Sequence, residues 1–140
     1  MVPIERDDLV VMMETGYIYL GMGRFAEAKE VFEGVSILAP ESDVPWVAMG
    51  SVSFAQGKFD QAIQCYKKAL GLKKDSPFAH SFMGEVLFFK GQKEEAIQEL
   101  KKATSLDPEG KSGGFAHALL EAIEKGFQPS FKPEAMPRSL

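Results

Sequence analysis

The sequence predicts an all-α fold: three helical hairpins stacked side by side and closed by one further helix. Three observations carry this. Small residues recur at one interval: Gly16, Gly50 and Gly84 lie 34 residues apart, as do Gly23, Gly57 and Gly91, and Ala28, Ala62 and Ala96. A bulky side chain recurs in step at Phe32, Tyr66 and Leu100. Between these markers apolar residues fall at helical spacing, as in Trp46, Met49, Gly50 and Phe54. A period of this size marks an array of supersecondary units, none of which buries its apolar face alone.

The units span about 9–42, 43–76 and 77–110. In the middle unit Asp43 is placed to cap a first helix that holds Pro45 in its first turn. Gly57 then breaks the helix, in a backbone conformation that other residues resist. The second helix is expected to start near Asp60 as its N-cap and to carry Ala62, Ile63, Tyr66, Ala69 and Leu70 on one face. In the third unit Ser76 is an N-cap and Pro77 takes the first helical position, where proline loses no bond. Asp107-Pro108 ends that unit. The recurring Gly and Ala let helix axes approach, and Phe32, Tyr66 and Leu100 are expected to fill the spaces between neighbouring hairpins. Phe115, Ala118, Leu119, Ala122 and Ile123 form an apolar stripe on a helix over about 112–125, with Gly126 as its stop. This helix covers the last hairpin and closes a domain over 1–126. Residues 127–140, "FQPSFKPEAMPRSL", hold three prolines and predict an extended tail. A second reading of the tail is that its bulky residues lie in the protein's own groove or in that of a neighbouring copy.

The totals narrow the function. The chain of 140 residues is 45% hydrophobic and 26% charged, which suits one domain with a real core. A net charge of −4 argues against nucleic acid, and the lysine pairs at 67–68, 73–74 and 101–102 are interrupted by acids. The one cysteine, Cys65, excludes an internal disulfide, and no Cys/His group has metal-ligand spacing. The start, "MVPIERDD", is not a signal peptide, and "LVVMM" and "VLFF" are too short to span a bilayer. A cytoplasmic protein with no membrane partner is the expectation. No acid/base pair, nucleophile, or glycine-rich loop with a lysine for ATP is present, so neither catalysis nor a cofactor is expected.

Three stretches, "WVAMG" at 46–50, "GKFDQA" at 57–62 and "YKKAL" at 66–70, resemble the tetratricopeptide repeat, a helix-turn-helix of 34 residues. The first copy departs from that pattern at Met12, and the third at His80 and Lys93. The resemblance implies a right-handed superhelix whose first helices line a concave surface. Carried over copy by copy, the concave, peptide-binding positions are Val10, Met13, Tyr17 and Leu20; Val44, Val47, Ser51 and Phe54; and Phe78, Ser81, Glu85, Phe88 and Phe89. Family members that grip the C-terminal carboxylates of heat-shock chaperones use cations on these faces. Here the positions are apolar, aromatic or acidic, so a carboxylate clamp is not expected.

The stretches "GYIYLGMGRFAEAKEVFEGVSILAP" and "GKFDQAIQCYKKALGLKKDSP" are similar to the tetratricopeptide chaperones of bacterial type III secretion. That resemblance implies a protein client: a needle subunit held by its amphipathic helix, or a translocator held by a proline-spaced apolar segment. It also brings in a small helical co-chaperone for the needle type and leaves a homodimer open. Only about eight residues precede the first repeat, which favours the needle type. The alternative is a general scaffold of the same repeat family with no chaperone role.

Overall fold

A computed structural model describes residues 5–130. Seven α-helices and no strands occur among them: α1 (Arg6–Gly21), α2 (Phe25–Leu38), α3 (Val44–Ala55), α4 (Phe59–Leu72), α5 (Pro77–Phe89), α6 (Lys93–Leu106) and α7 (Lys111–Glu124). Helices α1/α2, α3/α4 and α5/α6 pair as hairpins, and α2 meets α3 as α4 meets α5. The first helices also touch one another, α1 against α3 and α3 against α5. They therefore form one continuous face.

The hairpin turns follow from the glycines. Gly57 adopts φ 77°, in the left-handed region, and Lys58 N–H donates to the Ser53 carbonyl at 2.9 Å to close the end of α3. Gly126 does the same after α7, with φ 87°, so the expected stop is where the sequence puts it. Ser76 caps α5 through its hydroxyl, which accepts from Ala79 N–H at 3.3 Å. Asp43 is the N-cap of α3, but its side chain accepts no capping bond. Asp60 is not an N-cap: that place belongs to Lys58, and Asp60 lies inside the first turn of α4. Its carboxylate instead receives Lys90 Nζ at 2.6 Å and ties the second hairpin to the third.

The bulky residues pack inside their own hairpins first. A Cβ at Gly16 would meet the Phe32 ring at 2.4 Å, one at Gly50 the Tyr66 ring at 2.3 Å, and one at Gly84 the Leu100 side chain at 2.6 Å. Each large side chain of a second helix thus lies on the glycine of the first helix it pairs with. This corrects the expectation that they fill only the gaps between hairpins, although Tyr66 also reaches Phe82 of the next unit, ring centroids 6.2 Å apart. Phe32, Tyr66 and Leu100 are almost wholly buried. Two apolar clusters result, one around Phe32, Ala48 and Met49, the other from Tyr66 through Leu100 to Ile123; Trp46 packs against both.

Helix α7 packs on α6 and α5, where a further hairpin would begin. Its buried side is Ser112, Gly113, Ala116 and Ile123, with Ala118 facing solvent, so the stripe is turned relative to the one expected. Asp107 holds the start of α7 in place, accepting from Ser112 Oγ at 2.5 Å and from Gly113 N–H at 3.4 Å. The Ser112 hydroxyl, helped by those backbone donors, holds the Asp107 carboxyl below its ordinary value. After Gly126 the chain leaves the helix with Phe127 stacked on Phe88, centroids 5.9 Å apart. Residues 127–130 have no regular structure, and the rest of the predicted tail lies outside the described residues.

Candidate functional site

The continuous face of α1, α3 and α5 carries an apolar cavity of about 290 Å³. It is lined by Tyr17 from α1; Asp43, Val44, Val47 and Ser51 at and within α3; and Phe78 and Phe82 from α5. Five of these seven were expected from the sequence: Tyr17, Val44, Val47, Ser51 and Phe78. Their approach follows from the 34-residue period, because equivalent turns of stacked first helices lie side by side. Tyr17, Val44 and Phe78 are 45%, 49% and 44% exposed, so large apolar groups face solvent around the mouth. Val10, a further expected residue, is also exposed on α1.

Beyond the cavity, toward the C-terminal ends of α3 and α5, the face is filled by the protein's own rings. Phe54 meets Phe59 at 5.5 Å and Phe89 at 5.3 Å between centroids, and Phe59 and Phe89 close the triangle at 6.3 Å. Phe54 and Phe89 keep partial exposure and form a half-covered aromatic shelf. Met13 and Leu20, also half-buried, pack against the first apolar cluster.

Three of the expected contacts are buried: Val47, 5% exposed, still lines the cavity, whereas Ser81 and Phe88 do not. Ser81 has no exposed surface and Phe88 is 4% exposed, covered in part by Phe127. Ser81 repeats the register of Val47, so this position faces inward in both copies. The exposed side of α5 runs instead through Phe78, Phe82, Glu85 and Phe89, a helical series of four, three and four residues. Asp43 was expected only as a helix cap, and Phe82 is the aromatic residue that sequence reasoning missed. It touches Phe78, Tyr66 and Phe115, and its spacing of four from Phe78 was the available signal.

The polar part of the face is small. Ser51 Oγ donates to the Val47 carbonyl at 3.3 Å. Burial raises the Tyr66 phenol above its ordinary value, partly offset by the nearby Ser51 hydroxyl. Glu85 stands at the position equivalent to Tyr17 and Ser51, and no described ion pair or hydrogen bond includes its carboxylate. Burial pushes it from 4.5 up to about 7.

A folded-state value above the unfolded one favours folding fully below about pH 4.5 and loses that contribution as pH rises through about 7. Glu85→Gln should therefore be more stable than the parent at pH 8, by about 1–3 kcal/mol, and level with it near pH 4.5. Urea unfolding at the two pH values reads this directly; equal midpoints at pH 8 would reject the burial of Glu85.

Other reactive side chains have structural explanations. His80 occupies the departed tryptophan position and is 8% exposed. Its Nδ1 faces Glu99 Oε2 at 2.6 Å and its Nε2 faces the Lys74 carbonyl at 3.0 Å, so both ring nitrogens meet acceptors and the imidazole clamps α5 to α6. The depression beside it, about 730 Å³, is open and lined by Lys74, Lys101 and Lys102 among others. Cys65 is half-buried against the first cluster, and burial raises its thiol despite Lys29 nearby. Among the described residues no group of three His, Cys, Asp or Glu side chains is placed to hold a metal ion, and no helix is long and apolar enough to cross a membrane.

Family models for the TPR repeat match residues 50–91, and for the tetratricopeptide repeat residues 11–40 and 79–109. No curated protein sequence matches the chain. Among solved structures, the Yersinia enterocolitica type III secretion chaperone SycD in complex with a peptide of the translocator YopD is similar. Its TM-score is 0.72 at 23% identity, covering 89% of this chain and 98% of that one. PcrH in complex with the chaperone binding region of PopB has the same TM-score at 17% identity, covering 88% and 99%. The first TPR of Spaghetti (RPAP3), bound to the HSP90 peptide SRMEEVD, also scores 0.72 at 22% identity, covering 89% and 97%. At these identities the likenesses establish the fold, and it is shared by proteins with unlike ligands.

Proposed function

Because the chain belongs to the tetratricopeptide-repeat family, and because its three first helices share an apolar cavity, we propose that it is a peptide-binding chaperone. Its client is a secreted subunit of a type III system, held through an apolar segment. The carrying observation is the cavity itself, an inner face with no cation in its lining. A C-terminal acidic peptide of the kind bound by the RPAP3 repeat finds nothing to pair with there, and Asp43 and Glu85 repel it. The translocator peptide held by SycD and the chaperone binding region of PopB held by PcrH are the better analogy for the ligand.

The shape of the face favours an extended segment over a long helix. The cavity has room for one or two bulky side chains, and the adjoining stretch is already occupied by Phe54, Phe59 and Phe89. An amphipathic helix running along the whole face loses contact at that shelf. An extended segment places one anchor in the cavity and lays the next across the shelf. This moves the choice from the needle type to the translocator type, and the small co-chaperone is then not needed. Masking the segment keeps an aggregation-prone subunit apart from its own copies before export, with no energy source beyond burial.

Co-expression tests the proposal. A translocator-type subunit that aggregates alone should become soluble with this chain and elute as a one-to-one complex. A subunit that stays insoluble, while binding partners recovered from the native cell are folded proteins unrelated to secretion, supports the scaffold reading instead.

A further inference from the structure

The open side of α5 interrupts its aromatic residues with one carboxylate. Glu85 lies three residues beyond Phe82 and four before Phe89, between the cavity and the aromatic shelf. Its equivalents in the other copies, Tyr17 and Ser51, both line the cavity. The Tyr66 phenol from α4 lies near enough to sense the Glu85 charge. No charged group from α3, α4, α6 or α7 shifts Glu85 itself. A second acid, Asp43, stands in the cavity lining, also without a capping bond or an ion pair.

A wholly apolar segment laid over this face strips the remaining water from Glu85 and gives nothing back. A ligand cation offsets that loss with a charge-assisted bond in a place already short of water. We infer that the segment held on this face carries a lysine or arginine beside its apolar anchor, and that Glu85 selects it. The inference rests on the peptide-binding reading above and adds to it the charge of the ligand.

Selection from a library of random twelve-residue peptides, displayed and panned on the intact protein at pH 8, separates the two. The expected result is enrichment of aromatic and aliphatic anchors together with a basic residue at one fixed spacing from them. Glu85→Gln should keep the anchors and lose the basic residue. A selected peptide should bind the parent at least fivefold more tightly at pH 8 than at pH 6, because only the ionised carboxylate pairs with a cation; a peptide with norleucine in place of the basic residue should show the opposite slope. Apolar anchors without a basic residue, or a basic preference that survives in Glu85→Gln, would overturn the role of Glu85 and leave the groove standing. No apolar enrichment at all would overturn the groove and this inference together.

Discussion

Gly113→Ala is expected to destabilise the protein by about 3 kcal/mol or more, whereas Gly114→Ala, one residue on, is expected to stabilise it by up to about 1 kcal/mol. The two glycines begin the same helix, so propensity alone predicts the same gain at both. Space decides otherwise. A Cβ on Gly113 would lie 1.6 Å from the Asp107 carbonyl oxygen, whereas one on Gly114 meets nothing within 4 Å. The obstacle at Gly113 is backbone, and no rotamer change relieves it. Either α7 lifts from the last hairpin or the Asp107 turn opens and forfeits its bonds to Ser112 and Gly113. Thermal melts should show Gly113→Ala falling by about 10 °C and Gly114→Ala rising by a few degrees. A Gly113→Ala protein as stable as the parent would mean that α7 does not seat against the Asp107 turn.

That contrast marks the limit of what the sequence discloses. The 34-residue period locates all three hairpins and the turn glycines, because left-handed backbone and close helix contact each demand glycine at a fixed place. Ser76-Pro77 is legible as a helix start for the same reason: its chemistry is local. The packing of Gly113 on Asp107 is not local, and "SGG" looks the same whether its glycines touch anything or not. The inner face was legible only in part: each copy supplies residues to the cavity, and each also places expected residues elsewhere. Val44, Val47 and Ser51 reach the cavity as copied, and so does Phe78, but Ser81 and Phe88 do not. Periodicity carries a residue's place within its unit, not what covers the unit. The first two hairpins are followed by another hairpin and the third by α7, whose Phe115 packs on Phe82 at the edge of the cavity.

The burial of Phe88 also determines which substitutions test the groove. Phe88→Glu places a charge in the core and loses the client by unfolding, whatever the face does. Val44 and Phe78 avoid this, because each is nearly half exposed and both line the cavity. Val44→Glu with Phe78→Glu should weaken client binding by about 10²–10⁴-fold, from two lost anchor contacts of about 1.5–3 kcal/mol each. The double variant should melt within a few degrees of the parent. Binding is measured by titration with the labelled client segment, and folding by circular dichroism on the same samples. Phe54→Glu is the informative companion. Phe54 belongs to the self-packed shelf, so its loss should cost both stability and affinity. If the double variant binds as the parent does while Phe54→Glu does not, the client lies across the shelf alone and the cavity is not its anchor site. If both bind as the parent does, the segment sits on another surface, and the apolar inner face has some other occupant.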